Sequence, residues 1–111
     1  MSKQNISLLA LSVIATAAVL DHRFVQGGAP AAAAGRAGGV AKFDAAIGQT
    51  FSYDVIGTAV VVSGGAFAAG DALEVGAAGV AVVKAAGVTV ARALEPATAA
   101  GQFVEVLLIA N

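Results

Sequence analysis

The chain has 111 residues, of which six are basic, seven are acidic and none is cysteine. The lack of cysteine excludes disulfides, thiolate metal sites and thiol catalysis, and the scattered bases form no stripe that could follow a nucleic acid. Hydrophobic residues reach 59% and charged residues only 12%, against about 25% charged residues in soluble domains. A single small domain cannot hide so much apolar surface by itself, so we expect burial against other subunits.

The first twenty residues permit two interpretations. Lys3 and the apolar run at residues 6–20 mimic a secretory signal peptide that would be removed after Ala17. However, serines interrupt the run, its β-branched residues favour an extended chain, and it is too short for a membrane-spanning helix. We therefore expect residues 1–20 to form an N-terminal arm and first strand, which pairs with a neighbouring chain or with the domain's own edge. The signal peptide stays open as the alternative.

A single β domain is expected over residues 21–111. Residues 21–25 (DHRFV) predict a short strand that ends at two glycines. Residues 29–39 form a low-complexity segment of small residues, which predicts a flexible, exposed loop with nothing large enough to anchor it. The one charge in this loop, Arg36, is either a solubilising residue at its tip or a contact for an acidic group on a partner.

Two related units organise the rest of the chain. Residues 39–57 (GVAKFDAAIGQTFSYDVIG) have a degraded copy in residues 87–111, and in each unit a base follows Val-Ala, namely Lys42 or Arg92. An alanine-rich connector of one turn, Gly-Gln and a β-like run follow in both. Each unit is thus predicted to fold as strand, connector, strand. Two such units in so short a chain predict an all-β fold, a small β-barrel or sandwich with pseudo-twofold character.

The two β-like runs differ in their polarity. Residues 50–55 alternate, which places Phe51, Tyr53 and Val55 on one face of a half-buried strand and Thr50, Ser52 and Asp54 on the other. The closing run, residues 103–109, is almost continuously apolar, so we expect it to be covered on both faces.

The middle of the chain predicts a strand and a hairpin. Residues 58–63 form a separate buried strand, and Phe67 fills the core. A turn follows, and the sequence GAAG at residues 76–79 then joins residues 73–75 to residues 80–83 as a β-hairpin.

No constellation of residues predicts catalysis, a cofactor or a metal. His22 is the only histidine and lies between two charged residues, where a hydrogen-bonding role at a strand end is favoured. Ser63 lacks the preceding glycine of a nucleophile elbow, and Asp44, Asp54 and Asp71 are too isolated from one another for a calcium loop. A carrier-domain interpretation would require a modified Lys84. We therefore expect no enzyme activity.

Glu105 lies in the otherwise apolar closing strand. If it is buried it must be paired, and Arg92 or Lys42 is the plausible partner. A rim position that faces solvent is the alternative, and the sequence does not choose between them.

Four segments of the chain show a family resemblance, and they are DHRFVQ, GVAKFDAAIGQTFSYDVIGTA, AGDALEVGAAGVAVVKAAG and ARALEPATAAGQFVEVLLI. In this order they resemble segments of a family of small tailed-phage capsid cement or decoration proteins. The matches to its motif G-V-A-x-x-D-A-A-x-G are Gly39, Val40, Ala41, Asp44, Ala45, Ala46 and Gly48. Those to G-D-x-L are Gly70, Asp71 and Leu73, and those to the closing motif are Ala93, Leu94, Glu95, Ala97, Ala99, Gly101, Val104, Glu105, Val106 and Leu108. The resemblance covers residues 20–110, and its specificity lies in the order of the segments.

The resemblance implies a β-barrel or β-tulip-like protein with short helical connectors and an extended N-terminal arm. It also implies a non-enzymatic structural protein that assembles as homotrimers on the outer surface of the capsid, after synthesis in the host cytoplasm, and clamps capsomers of the major capsid protein. No nucleic acid or membrane partner is expected. The arm and the loop would supply the capsid and subunit contacts, at Ile6, Leu8, Leu9, Leu11, Val13, Ile14 and Arg36.

Overall fold

The computed structural model describes residues 6–111, which form nine strands and one 3-10 turn. The strands are β1 Ser7–Ile14, β2 Phe24–Gln26, β3 Ala29–Pro30, β4 Gly39–Ala41, β5 Thr50–Val62, β6 Ala72–Val75, β7 Ala81–Val83, β8 Ala91–Ala93 and β9 Phe103–Leu108. They pair antiparallel in the order β3-β2-β4-β5-β9-β8-β6-β7, with β1 alongside β5, in one curled sheet. The all-β class and the small β-barrel fold are thereby confirmed.

β5 is the strand that connects the two ends of this sheet. Its residues 50–57 pair with β1, and its residues 58–62 pair with β9. Gly57 lies at the change of partner with a φ of +109°, and a Cβ there would collide with the carbonyl oxygen of Ile6. The strands predicted before and after Gly57 are therefore one continuous strand with a glycine at its bend.

The chain consists of two halves with the same strand order. The first half comprises β1 to β4 and residues 50–57 of β5, and the second half comprises residues 58–62 of β5 and β6 to β9. Across the sheet the first half runs β3-β2-β4-β5-β1, and the second half runs β7-β6-β8-β9-β5. The internal similarity expected for two short units thus extends over the whole described chain.

The pairing registers of the two halves coincide. They make the following positions equivalent: Phe24 and Ala72, Val40 and Arg92, Lys42 and Leu94, Asp54 and Leu107, Leu11 and Ala59, Val13 and Val61, Tyr53 and Val106. The expected equivalence of Lys42 and Arg92 is wrong by two residues. The alignment by sequence fails there because a basic residue after Val-Ala is only a local similarity. The hydrogen-bonded partners on β5 and β9 determine which positions are equivalent.

Three connectors share one turn geometry. In each, a glycine with positive φ precedes a residue whose side-chain oxygen accepts a backbone N–H from the same connector. The glycines are Gly48, Gly70 and Gly101, and the acceptors are Gln49, Asp71 and Gln102. These connectors contain no helix; the only 3-10 turn of residues 6–111, Ala77–Gly79, lies in the β6–β7 hairpin. A short helical connector is thus present in the β6–β7 hairpin, whereas side-chain acceptors satisfy the N–H groups of these three connectors in turns.

Each half has its own hydrophobic core. The core of the second half, which includes Phe67 and Leu73, also takes in Phe24, Ala31 and Val40 from the first half. The first half has a smaller core around Val19, Val25 and Phe51. The first half therefore covers part of the core of the second.

The loop at residues 29–39 is attached to the second half by its backbone. The N–H of Ala34 donates to the carbonyl of Val75 over 2.8 Å, and its carbonyl accepts the N–H of Val88 over 3.2 Å. Ala31 is buried in the core. Small residues can thus be anchored without a large side chain, which the composition alone could not indicate; flexibility of this loop stays a prediction.

Candidate interaction surfaces

β1 is an uncharged, apolar strand whose pairing within residues 6–111 is with β5 alone. Leu8 is 73% exposed, and Ile6, Leu9, Leu11 and Ile14 are exposed as well. A strand of this kind presents unpaired backbone groups and apolar side chains to another chain. The structure thus gathers most of the predicted contact residues on one edge.

Two of the predicted contact residues are not part of this exposed apolar set. Val13 is half-buried and packs against the core of the first half beside Phe51. Arg36 is exposed on the loop between β3 and β4. Residues 1–5 of the predicted arm lie outside the described residues, and the strand that follows them lies along β5 of its own chain.

β9 carries a second apolar surface that the sequence prediction missed. Phe103 and Leu107 are exposed on the face opposite the core, with half-buried Glu105 between them. Leu94 follows β8 and is exposed too; its N–H donates to the carbonyl of Glu105. The expectation that β9 is covered on both faces is wrong for the single chain, since the pattern F-x-E-x-L places large side chains outward at every second position.

The Glu105 carboxylate forms no ion pair with Arg92 or Lys42 within the described residues. The guanidinium of Arg92 donates to the carbonyl of Gly70 over 2.9 Å, and Lys42 pairs with Asp54. Glu105 is half-buried beside exposed neighbours. The rim position that the sequence left open is the one observed.

Asp54 is buried, which the alternation of polar and apolar residues in β5 did not indicate. It was expected on the polar face, yet it is only 2% exposed. Its Oδ1 lies 3.4 Å from Nζ of Lys42, at a cavity of about 200 Å³ whose lining also includes His22, Phe43 and Val60. The polar face is buried here because the first half packs against the second, which period-two alternation does not reveal.

The side chains at this cavity do not form a catalytic arrangement. Nδ1 of His22 lies 3.0 Å from Oδ2 of Asp21, and its ring packs edge-on against Phe103. Its backbone joins two elements, because the N–H donates to Ala41 and the carbonyl accepts from Val62. The backbone of His22 thus links β4 to β5. No serine, threonine or cysteine is among the residues that line the cavity.

Ser63, the other residue considered for catalysis, is almost completely buried. Its hydroxyl donates to the carbonyl of Ala99 over 2.8 Å and accepts the N–H of Gln102 over 3.1 Å. This serine ties the end of β5 to the connector before β9. Its oxygen is fully engaged in that role.

Glu74 is a second buried acid with a structural role. Its carboxylate accepts the N–H groups of Ala85 and Gly87. These backbone hydrogen bonds lower the pKa of Glu74, and the charge of Lys84 lowers it further, although burial opposes both. The carboxylate therefore holds the turn between β7 and β8.

Residues 6–111 contain no group of three or more acidic, histidine or cysteine side chains that could bind a metal ion. No helix in that part of the chain has the length and hydrophobicity needed to cross a membrane.

Comparisons with known proteins address both the family and the fold. The model of the phage cement protein family matches residues 4–108. No curated protein matches the chain. Among solved structures, the N base of head fiber gp8.5 of bacteriophage phi29 is similar, with a TM-score of 0.74 and 23% identity over 91% of this chain and 93% of that one. The chain belongs to the phage cement protein family and is a structural protein of the phage head.

Proposed function

We propose that this protein binds the outside of the capsid lattice and stabilises the contacts between capsomers of the major capsid protein. The observation that carries the proposal is the exposed, uncharged apolar edge of β1 in a member of the phage cement family. Such an edge can add a strand to a sheet of the capsid protein. Because the lattice repeats the same site many times, weak contacts of this type add up.

The proposed contacts with the capsid and between subunits come from the residues that the sequence singled out. Apolar contacts come from β1 and the residue before it, and Arg36 supplies one charged contact with an acidic group. The set is Ile6, Leu8, Leu9, Leu11, Val13, Ile14 and Arg36.

The proposal includes self-association of the protein as a homotrimer. The hydrophobic content of 59% and the charged content of 12% support it, because exposed apolar area of this extent favours burial between subunits. The protein then occupies the outer surface of the virion after synthesis in the host cytoplasm. It acts without enzyme activity and without a nucleic acid or membrane partner.

Secretion behind a signal peptide, the alternative from the sequence, is disfavoured by the position of β1. Cleavage after Ala17 would remove β1 and the buried Ala15, whose N–H donates to Gln49 over 2.8 Å. We expect the mass of the purified protein to retain these residues. A product that begins at Ala18 would favour secretion.

Co-sedimentation with expanded heads that lack the protein tests the proposal. We expect the full-length protein to bind and to raise the temperature at which the heads break open. Leu8→Ser should weaken binding roughly tenfold by removing an apolar contact. Ile47→Ser is the matched control, because Ile47 is 72% exposed, close to the 73% of Leu8, but lies in a connector. Failure of the unmodified protein to bind, or equal losses in both variants, contradicts the proposal.

A further inference from the structure

The two halves make a contact that shows how such units cover one another. Each half has an inner face toward its own core and an outer face on the opposite side of the sheet. On the outer face of the first half, Phe24, Val40 and Asp54 are almost completely buried. Phe24 and Val40 belong to the core of the second half. The outer face of the first half therefore lies against the inner side of the second.

The equivalent outer face of the second half lacks such a cover. Leu107, the counterpart of Asp54, is 42% exposed, and Phe103 and Leu94 are exposed beside it. Arg92 takes the place of Val40, and its guanidinium is drawn aside to the carbonyl of Gly70. Its aliphatic stem can pack with the apolar side chains while its charged end stays at the rim.

The inner face of the first half is open in the complementary way only beside β1, because Val25 and Phe51 are buried in that half's own core. In the second half, Ala59, Val61 and Val106 are completely buried under the first half. Their counterparts are the exposed Leu11 and the half-buried Val13 and Tyr53. Each copy thus has one uncovered outer face and one inner face that is uncovered beside β1.

We propose that these two faces bind each other between copies of the chain, head to tail, in the manner of the internal contact. The outer face of one copy, with Leu94, Phe103 and Leu107, covers the inner face of the next, with Leu11 and Tyr53. The inference rests on the self-association in the proposed function and does not require capsid binding.

We expect a second copy of the chain to cover these faces, because the chain already contains one contact of this kind. Inside each molecule, the outer face of the first half covers the inner face of the second half. The outer face of the second half and the inner face of the first half are the equivalent pair that remains. Such a contact joins different surfaces and is heterologous, so it closes into a ring or continues as a filament. In this arrangement only one face of β1 contacts the neighbouring copy. Leu11 and Val13 lie on that face, and Ile14 lies on the opposite face of the strand with Ser12.

Sedimentation of the purified full chain, without heads, tests the contact. We expect the unmodified protein to associate at concentrations up to about 1 mM, and both Leu107→Lys and Leu11→Lys to be monomeric. These positions are 42% and 44% exposed, so each variant should fold, which circular dichroism and a thermal melt check. Ile47→Lys, in a connector, is the control and should associate like the unmodified protein.

Mixing the two monomeric variants gives the sharper result. The Leu11→Lys copy retains its outer face and the Leu107→Lys copy retains its inner face, so one intact contact can form between them. We expect a 1:1 heterodimer that grows no further. A monomeric unmodified protein, unchanged association in either folded variant, or a mixture that stays monomeric would overturn the inference. None of these results depends on phage heads, so they distinguish a failure of self-association from a failure of capsid binding.

Discussion

Lys42 and Asp54 form a partly buried ion pair, with Nζ of the lysine 3.4 Å from Oδ1 of the aspartate. The second half of the chain has Leu94 and Leu107 at the equivalent positions. The same backbone arrangement thus carries an ion pair in one half and an apolar pair in the other. This difference allows the contribution of the ion pair to be measured within one protein.

Lys42→Met should destabilise the protein by about 2 kcal/mol, because it leaves the Asp54 carboxylate buried without a cation. The double variant with leucine at positions 42 and 54, which copies the second half, should recover most of that loss. Urea unfolding of the single and double variants measures both effects. A double variant less stable than Lys42→Met would show that the ion pair contributes more than apolar packing at this site.

The stability of the protein should fall at acidic pH through Glu74. Hydrogen bonds from Ala85 and Gly87 lower its pKa below the ordinary value of 4.5, so its contribution is fully present above that value. The contribution disappears as the pH falls through the lowered pKa of the folded state. Unfolding free energies measured across this acidic range should therefore decline more steeply for the unmodified protein than for Glu74→Gln. Identical slopes would contradict this assignment.

Alanine should be tolerated differently at glycines with and without a positive φ. Gly48 and Gly101 have φ values of +90° and +84°, whereas the φ of Gly65 is not in the left-handed region; an added Cβ meets nothing within 4 Å at any of the three. The cost at Gly48 or Gly101 is therefore conformational and should be about 1 kcal/mol. Gly65→Ala should leave stability unchanged or raise it by about 0.5 kcal/mol. Thermal melts of the three variants check the sign, and a loss at Gly65 equal to the others would refute the explanation.

Removal of the Ser63 hydroxyl should cost about 1–3 kcal/mol, because Ser63→Ala leaves the carbonyl of Ala99 and the N–H of Gln102 without their partner. The half-buried Ser52, whose hydroxyl lies 3.3 Å from that of Ser12, provides the comparison. Ser52→Ala should change stability by less than about 0.5 kcal/mol. Chemical unfolding of both variants measures the difference, and equal effects would count against a structural role for Ser63.

Local sequence patterns predicted those features that depend on neighbouring residues. The β-hairpin at GAAG and the buried Phe67 follow from turn residues and hydrophobicity, and the structure contains both. The Gly-Gln connectors also lie where the sequence placed them, although they form turns and not helices.

Features that depend on contacts between the halves could not be predicted in this way. Alternation placed Asp54 on a polar face, but packing of the second half buries this part of the face. The full duplication escaped notice because equivalent positions carry different chemistry, as Val40 and Arg92 do, and because only the strand registers reveal it. The same reason explains why Phe103 was expected to be covered. The closing run is almost continuously apolar, but the sequence does not show that half of this side chain stays exposed in the single chain.

The shared strand β5 has a consequence for how the two halves can move. Its first part is the last strand of one half and its last part is the first strand of the other, so no linker separates the halves. A movement of one half relative to the other would therefore have to bend β5 itself, and Gly57 is the residue at its bend.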